Sequence, residues 1–376
     1  MSDELLNLFE QFDRGRLSRR QLFKALGIAG VAAGVPILRT AETFAQGSCG
    51  GDRAKLPECD PTPAKLPFER TGWKTTMLDY LSCQCVDYQK EAAYYQALMN
   101  WKIRSDDGKM AMLDIGDWGG LMLRGGYVAP PAPPAPATPP PEAAGRGGQG
   151  GRGGGPRAPR NAIFDAFAWG IDQWDAKKVE AELQKRGLNP VPDNHGDVHG
   201  FRVKDPGGFD LIITDANKNN RRKGAASGKS AAPMPFESTN WKTIWLDHLS
   251  FEVPNYKESV AFYDALLGWK PTKDEGSQNQ VQIGENIGDA IIRRGGGRGG
   301  QAPAKANIGH IAFGITPFDP DAVLKELEKR GLTARVDTGG RGDIHTSAYK
   351  SYHTTTPNGF DLQISATTKA NRNPDL

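Results

Sequence analysis

The sequence repeats itself. Trp73-Lys74-Thr75-Thr76-Met77-Leu78-Asp79-Tyr80-Leu81-Ser82 returns 168 positions later as Trp241-Lys242-Thr243-Ile244-Trp245-Leu246-Asp247-His248-Leu249-Ser250, and the match runs on without a gap to Trp101-Lys102 and Trp269-Lys270. A second stretch recurs at a spacing of 144, pairing Ala168-Trp169-Gly170-Ile171 with Ala312-Phe313-Gly314-Ile315. A third pairs Pro206-Gly207-Gly208-Phe209-Asp210-Leu211 with Pro357-Asn358-Gly359-Phe360-Asp361-Leu362. Three matches in one order mean a duplicated domain, so one half must be explained together with the other.

The fall in spacing places 24 extra residues in the first copy, between Lys102 and Ala168. They belong to a Pro/Gly-rich loop over 127–160, and a shorter Gly-rich insert, Gly295 to Gly300, occupies the matching place in the second copy. Such composition cannot bury enough apolar surface to order itself. The resulting division is 1–45 as an export signal, 46–72 as an N-terminal segment, 73–216 as the first domain, 217–240 as a linker, 241–366 as the second domain and 367–376 as a tail.

The signal is read from Ser18-Arg19-Arg20-Gln21-Leu22-Phe23-Lys24, a twin-arginine pattern, followed by an apolar run to Leu38 and a small-residue stop at Ala45. It implies a periplasmic or extracellular protein, exported folded and without stable membrane insertion after processing. In such a compartment Cys49 and Cys59 are placed to close a small loop. Cys83 and Cys85 alternate along a strand and read as packing residues. With 47 basic and 44 acidic residues, and no basic run interleaved with aromatics, nucleic acid is not an expected partner; a small molecule is, with a homodimer possible.

Within the second copy the periodicity predicts a strand over Ile244–Val253, a helix over Tyr256–Leu267 stopped by Gly268, and short strands near 281–283 and 290–293. A further strand over Ile308–Ile315, a helix from Asp319 to Arg330, and strands running to Ile364 complete it. Strand, helix, strands, taken twice per copy, is an α+β arrangement: helices cover one face of a curved mixed sheet and the other face encloses a cavity. Along Ile308–Ile315 the alternation sets His310, Ala312 and Gly314 on one face and the large apolar residues on the other.

This order, with a histidine in the first strand of each module of the second copy and a closing Pro-Asn-Gly strand there, resembles the vicinal-oxygen-chelate superfamily of glyoxalases, bleomycin-resistance proteins and extradiol dioxygenases. The resemblance implies tandem paired βαβββ modules. It also implies a metal site at His248, His310 and Gln363, holding a divalent cation such as Fe, Mn, Zn, Co or Ni. Gln363 departs from the glutamate usual in the family. Asp361 shares its face, but Asp210 stands at the same place in the first copy, which favours a shared structural role. His353 and Tyr352 are the candidate catalytic residues, His353 as general acid/base; on an extended strand they face opposite ways, so only one enters the cavity. Tyr349 lies nearby. In the first copy Tyr80, Ala166 and Ile212 replace the three ligands, so the fold does not require them. His199 and His345 recur in both copies and read as structural. The function implied is a metal-dependent lyase, isomerase or dioxygenase, or else a non-catalytic binder of small molecules.

Overall fold

The computed structural model describes residues 64–129, 160–194, 198–220, 232–295, 303, 305–337 and 351–368. The proposed signal, Cys49, Cys59, most of both Gly-rich inserts, His345 and Tyr349 lie outside them. Both sheets belong to one compact unit, residues 62–274 with 278–376.

The first half runs β1 (Thr75–Cys85), α1 (Tyr88–Met99), β2 (Lys102–Asp106), β3 (Met110–Ile115) and β4 (Gly119–Arg124). It then repeats the pattern as β5 (Ala162–Ile171), α2 (Ala176–Lys185), β6 (Val191–Pro192), β7 (Gly200–Lys204) and β8 (Asp210–Thr214). The second half gives β9 (Lys242–Val253), α3 (Tyr256–Leu267), β10 (Lys270–Asp274), β11 (Gln278–Ile283) and β12 (Gly288–Arg294). Last come β13 (Asn307–Thr316), α4 (Pro320–Lys329), β14 (Arg335–Asp337), β15 (Ser351–Thr355) and β16 (Asp361–Ser365). Each half is one eight-stranded mixed sheet, ordered β2-β3-β4-β1-β5-β8-β7-β6 and β10-β11-β12-β9-β13-β16-β15-β14. The sheets are curved and not closed, the paired βαβββ arrangement expected from the sequence.

Local chemistry sets the helix ends. Asp87, Asp175, Asn255 and Asp319 cap the four helices by accepting from backbone N–H groups of the first turn. Asn100 and Gly268, at matching positions, end α1 and α3 in the left-handed region, with φ of 55° and 65°. The repeated glycine of β5 and β13 has a steric reason. A Cβ on Gly170 would meet Ala216 O at 2.0 Å, and one on Gly314 would meet Thr367 O at 1.9 Å.

One irregularity decides which side chains face the cavity. Leu246 pairs with Phe313 and His248 with Ala312, so Asp247 is the extra residue of a bulge in β9; Asp79 occupies the same bulge in β1, between Leu78 and Tyr80. Without it, Leu246 and His248 would share a face. With it, Leu246 joins the apolar core under the helices and His248 turns to the concave side.

The halves associate through bonds that recur in reverse. Trp101 Nε1 donates to Thr243 Oγ1 at 2.8 Å, and Trp269 Nε1 donates to Thr75 Oγ1 at 3.0 Å. Thr71 N reaches Ala265 O and Thr239 N reaches Ala97 O, at 3.0 and 2.9 Å. Each Trp ring stacks on a tyrosine of the preceding helix, Tyr95 or Tyr263. A single apolar core therefore draws residues from both sheets. Two carboxyls are buried at this junction. Glu91 Oε2 accepts from Asn358, and Asp205 Oδ2 accepts from Tyr263 at 2.9 Å. Burial pushes Asp205 up to about 6 even though Phe209 N and Tyr263 donate to it.

Candidate metal centre

On the concave face of the second sheet the pairings His248↔Ala312, Ala312↔Gln363 and Gln363↔His353 lay a row of side chains across four adjacent strands, β9, β13, β16 and β15. Ala312 contributes only a methyl to that row. His310 sits two residues before it, opposite Ser250. The alternation read for β13 is seen here, since Ile311, Phe313 and Ile315 all pack in the core.

The two imidazoles meet tip to tip, His248 Nε2 lying 2.9 Å from His310 Nε2. His248 Nδ1 is 3.1 Å from Asp247 Oδ1, and Thr367 Oγ1 donates to Asp247 Oδ2 at 2.7 Å. A carboxylate accepting on both oxygens places the ring proton of neutral His248 on Nδ1, which leaves the Nε2 lone pair directed at His310. Two imidazole nitrogens bound at right angles to one cation, each about 2.05 Å away, stand about 2.9 Å apart. The separation seen is that of an N–H···N hydrogen bond between the rings, and it is also compatible with two ligands at right angles on one cation.

Gln363 is buried on the same face. Its Nε2 donates to Ser351 Oγ at 2.7 Å, while its Oε1 finds no hydrogen-bond partner among the described residues. An orphaned amide oxygen in a buried site costs roughly 1–3 kcal/mol unless something else fills its lone pairs. A divalent cation is such a partner, so the donor set of two imidazoles and one oxygen fits a metal. Among the described residues no three His, Cys, Asp or Glu converge as ligands. The third donor on this face is the amide.

His353 is placed differently. Its Nδ1 lies 2.8 Å from Asp361 Oδ1 and its Nε2 lies 3.3 Å from Asp337 Oδ2, so both ring nitrogens are engaged by carboxylates. Burial disfavours its charge, but these two bonds outweigh burial and raise its pKa. Its ring centroid is 5.1 Å from that of His310, across the strand that carries Gln363. Asp361 also pairs with Arg335, and its pKa is lowered below the ordinary carboxylate value; burial opposes this, and the His353 and Arg335 partners prevail.

Of the residues singled out from the sequence, His248, His310, Gln363 and His353 come together and Tyr352 does not. Tyr352 faces the opposite side of β15 and packs in the apolar core. The expectation that it serves the site is corrected: β15 pairs with β16 so that His353, opposite Gln363, takes the concave side. Cys83 and Cys85 are buried core residues, as packing would have them, and Trp169 packs against Trp269. His199 is exposed, its N–H donating to Asp215.

The first half's concave face is a small apolar cluster of Tyr80, Met112, Met122, Ala166, Ala168 and Ile212. Three of these are the counterparts of His248, His310 and Gln363. The clasp around His353 is preserved with another cation in it: Arg202 Nε donates to Asp193 at 2.8 Å, and Arg202 also pairs with Asp210. Those aspartates match Asp337 and Asp361.

Five participants escaped the sequence reading: Asp247, Thr367, Ser351, Asp337 and Arg335. Comparison of the copies held a signal for two of them, since Ala216 stands for Thr367 and Gly200 for Ser351. A groove of 420 Å³ beside α4, lined in part by Asp319, Glu326, Lys329 and Arg330, contains none of the clustered residues.

The sequence profile of the Glyoxalase/Bleomycin resistance protein/Dioxygenase superfamily matches residues 245–364. No curated protein matches the sequence. Among solved structures, the chain is similar to the Mn(II)-bound glyoxalase from Novosphingobium aromaticivorans, at TM-score 0.51 and 15% identity over 78% of this chain and 82% of that one. It is also similar to homoprotocatechuate 2,3-dioxygenase from Brevibacterium fuscum in complex with 3,4-dihydroxyphenylacetate, at 0.52 and 16% over 78% and 81%. The 2,3-dioxygenase LapB from Pseudomonas sp. KL28 gives 0.51 and 13% over 78% and 93%. Such identities speak to the fold, which both halves share, and the profile match identifies residues 245–364, within the second half, with the Glyoxalase/Bleomycin resistance protein/Dioxygenase superfamily.

Proposed function

We propose that the second half is a metal-dependent enzyme, a lyase, isomerase or dioxygenase, acting on a small molecule that presents adjacent oxygens, and that the protein works outside the cytoplasm. His248, His310 and Gln363 are its ligands for a divalent cation of the Fe, Mn, Zn, Co or Ni kind. When bound, that cation supplies Lewis acidity toward substrate oxygens or a centre for oxygen chemistry. The protein's own groups do the rest. Asp247 holds the His248 ring, Ser351 holds the Gln363 amide, and two aspartates keep a proton on His353, whose ring centroid lies 5.1 Å from that of His310; passing that proton to a substrate oxygen requires one of the two carboxylates to let go. The observation that carries the reading is the 2.9 Å approach of two Nε2 atoms on a polar concave face, where the other copy has Tyr80 and Ala166.

A second reading, a binder without catalysis, is favoured by the neutral Gln363, which donates more weakly than a carboxylate. Elemental analysis of the full chain, beside His248→Ala and His310→Ala, separates the two. The enzyme reading expects a bound divalent metal that both substitutions remove together with turnover. A metal-free protein whose ligand affinity ignores both changes supports the binder.

The twin-arginine pattern at Ser18–Lys24 supports export. Among the described residues no helix is long and apolar enough to cross a membrane.

A further inference from the structure

We infer that two hydroxyls, those of Thr367 and Ser351, are positioning residues that preset the lone pairs of two of the ligands. The inference rests on the ligand set proposed above and deepens it. Thr367 has one hydroxyl proton and gives it to Asp247 Oδ2 at 2.7 Å. Asp247 is thereby an acceptor on that oxygen, and its Oδ1 takes the Nδ1 proton of His248. A neutral imidazole has one N–H, so Nε2 is left bare toward His310. Ser351 works on the other ligand. Its proton goes to Asp337 O at 3.3 Å, so its oxygen accepts from Gln363 Nε2 at 2.7 Å. Turning the amide over would draw the Ser351 proton away from Asp337 O to Oε1, so with that bond kept Oε1 is the atom left for a cation.

The first half serves as a control within the same chain. The bulge aspartate is kept as Asp79, so the carboxylate alone belongs to the fold. Where the histidine has become Tyr80, the threonine has become Ala216; where the glutamine has become Ile212, the serine has become Gly200. These correspondences are structural. Ala216 O and Thr367 O lie against the matching glycines Gly170 and Gly314, and Gly200 and Ser351 open the matching strands β7 and β15. Each hydroxyl is present where its ligand is present and absent where the ligand is absent.

Partners that orient a metal's ligands are commonly worth 10–100-fold in metal affinity. The test is Mn(II) titration of the full chain, followed by the paramagnetic signal of the free ion, with nitrogen NMR of the metal-free protein to read the His248 tautomer. Thr367→Val and Ser351→Ala should each weaken Mn(II) by about 10–100-fold, Thr367→Ser should restore wild-type affinity, and Ala216→Thr in the other half should change nothing. The Nδ1–H form of His248 should dominate in the wild type and give way to a mixture in Thr367→Val. Wild-type protein that binds no Mn(II) would overturn the ligand set itself. Wild-type protein that binds Mn(II) no better than both hydroxyl variants, with the tautomer unmoved, would overturn the positioning roles and leave the ligand set standing.

Discussion

The two concave faces of this molecule are built on the same strands, the same bulge and the same pair of flanking aspartates, yet one is a buried polar site and the other a small apolar core. His248, His310, Gln363 and Gln280 in the second half answer to Tyr80, Ala166, Ile212 and Met112 in the first. The change of character is carried by a few positions, and it is concerted: the hydroxyls bonded to Asp247 and Gln363 are absent where His248 and Gln363 are absent. What the comparison teaches is that the polar residues of the second face are an addition to the fold. A duplicated scaffold supports either state, and the state with an orphaned amide oxygen is the one that needs another partner.

The sharpest way to break this comparison is to exchange the third ligand position. Ile212→Gln would bury an amide where Gly200 offers no hydroxyl, and should cost about 3–4 kcal/mol in urea unfolding. The reverse change, Gln363→Ile, removes an oxygen without a partner and should stay within about 1 kcal/mol while metal binding is lost. Equal costs would mean that the faces do not differ in the way described.

Asp205 offers the next largest effect. It accepts from Phe209 N in the first half, as Thr356 Oγ1 does from Phe360 N in the second. Its carboxyl is raised from 3.8 to about 6, burial being the main cause. Between those values the folded chain holds more protons than the unfolded one, so stability should fall as pH rises through that window, by about 2–3 kcal/mol, and level off above it. Asp205→Thr should flatten the dependence, which melting temperatures from pH 4 to 7 would show. An unchanged slope would assign it to other groups.

The smallest effect probes where the halves agree. Trp101→Phe and Trp269→Phe each delete one buried bond of a reciprocal pair, and each should cost about 1 kcal/mol, matching within about 0.5 kcal/mol. A large asymmetry in denaturant unfolding would show that the junction is not equivalent from its two sides.

Much of the architecture was legible because its signals are local. Asn255 and Gly268 delimit α3 at the predicted residues, since a side-chain cap and a left-handed glycine each act within one turn. The duplication was visible in residue order, and the replacement of His248, His310 and Gln363 by Tyr80, Ala166 and Ile212 followed from it. What escaped depends on pairing. The bulge at Asp247 exists because β9 and β13 run out of step, and strict alternation would set Leu246 beside His248. Tyr352 and His353 alternate equally well in either sense, and only the register with β16 decides between them. The clasp on His353 joins it to Asp337, 16 residues away and on another strand. Filling of the first face by Met112 and Met122 likewise needs β3 and β4 folded over β1.

Anomalous diffraction from crystals of the full chain grown with Mn(II) tests the central claim most directly. One peak is expected per chain, bonded to His248 Nε2, His310 Nε2 and Gln363 Oε1, with nothing above noise beside Tyr80, Ala166 and Ile212. No peak at the histidines, or a peak on the first face, would contradict it.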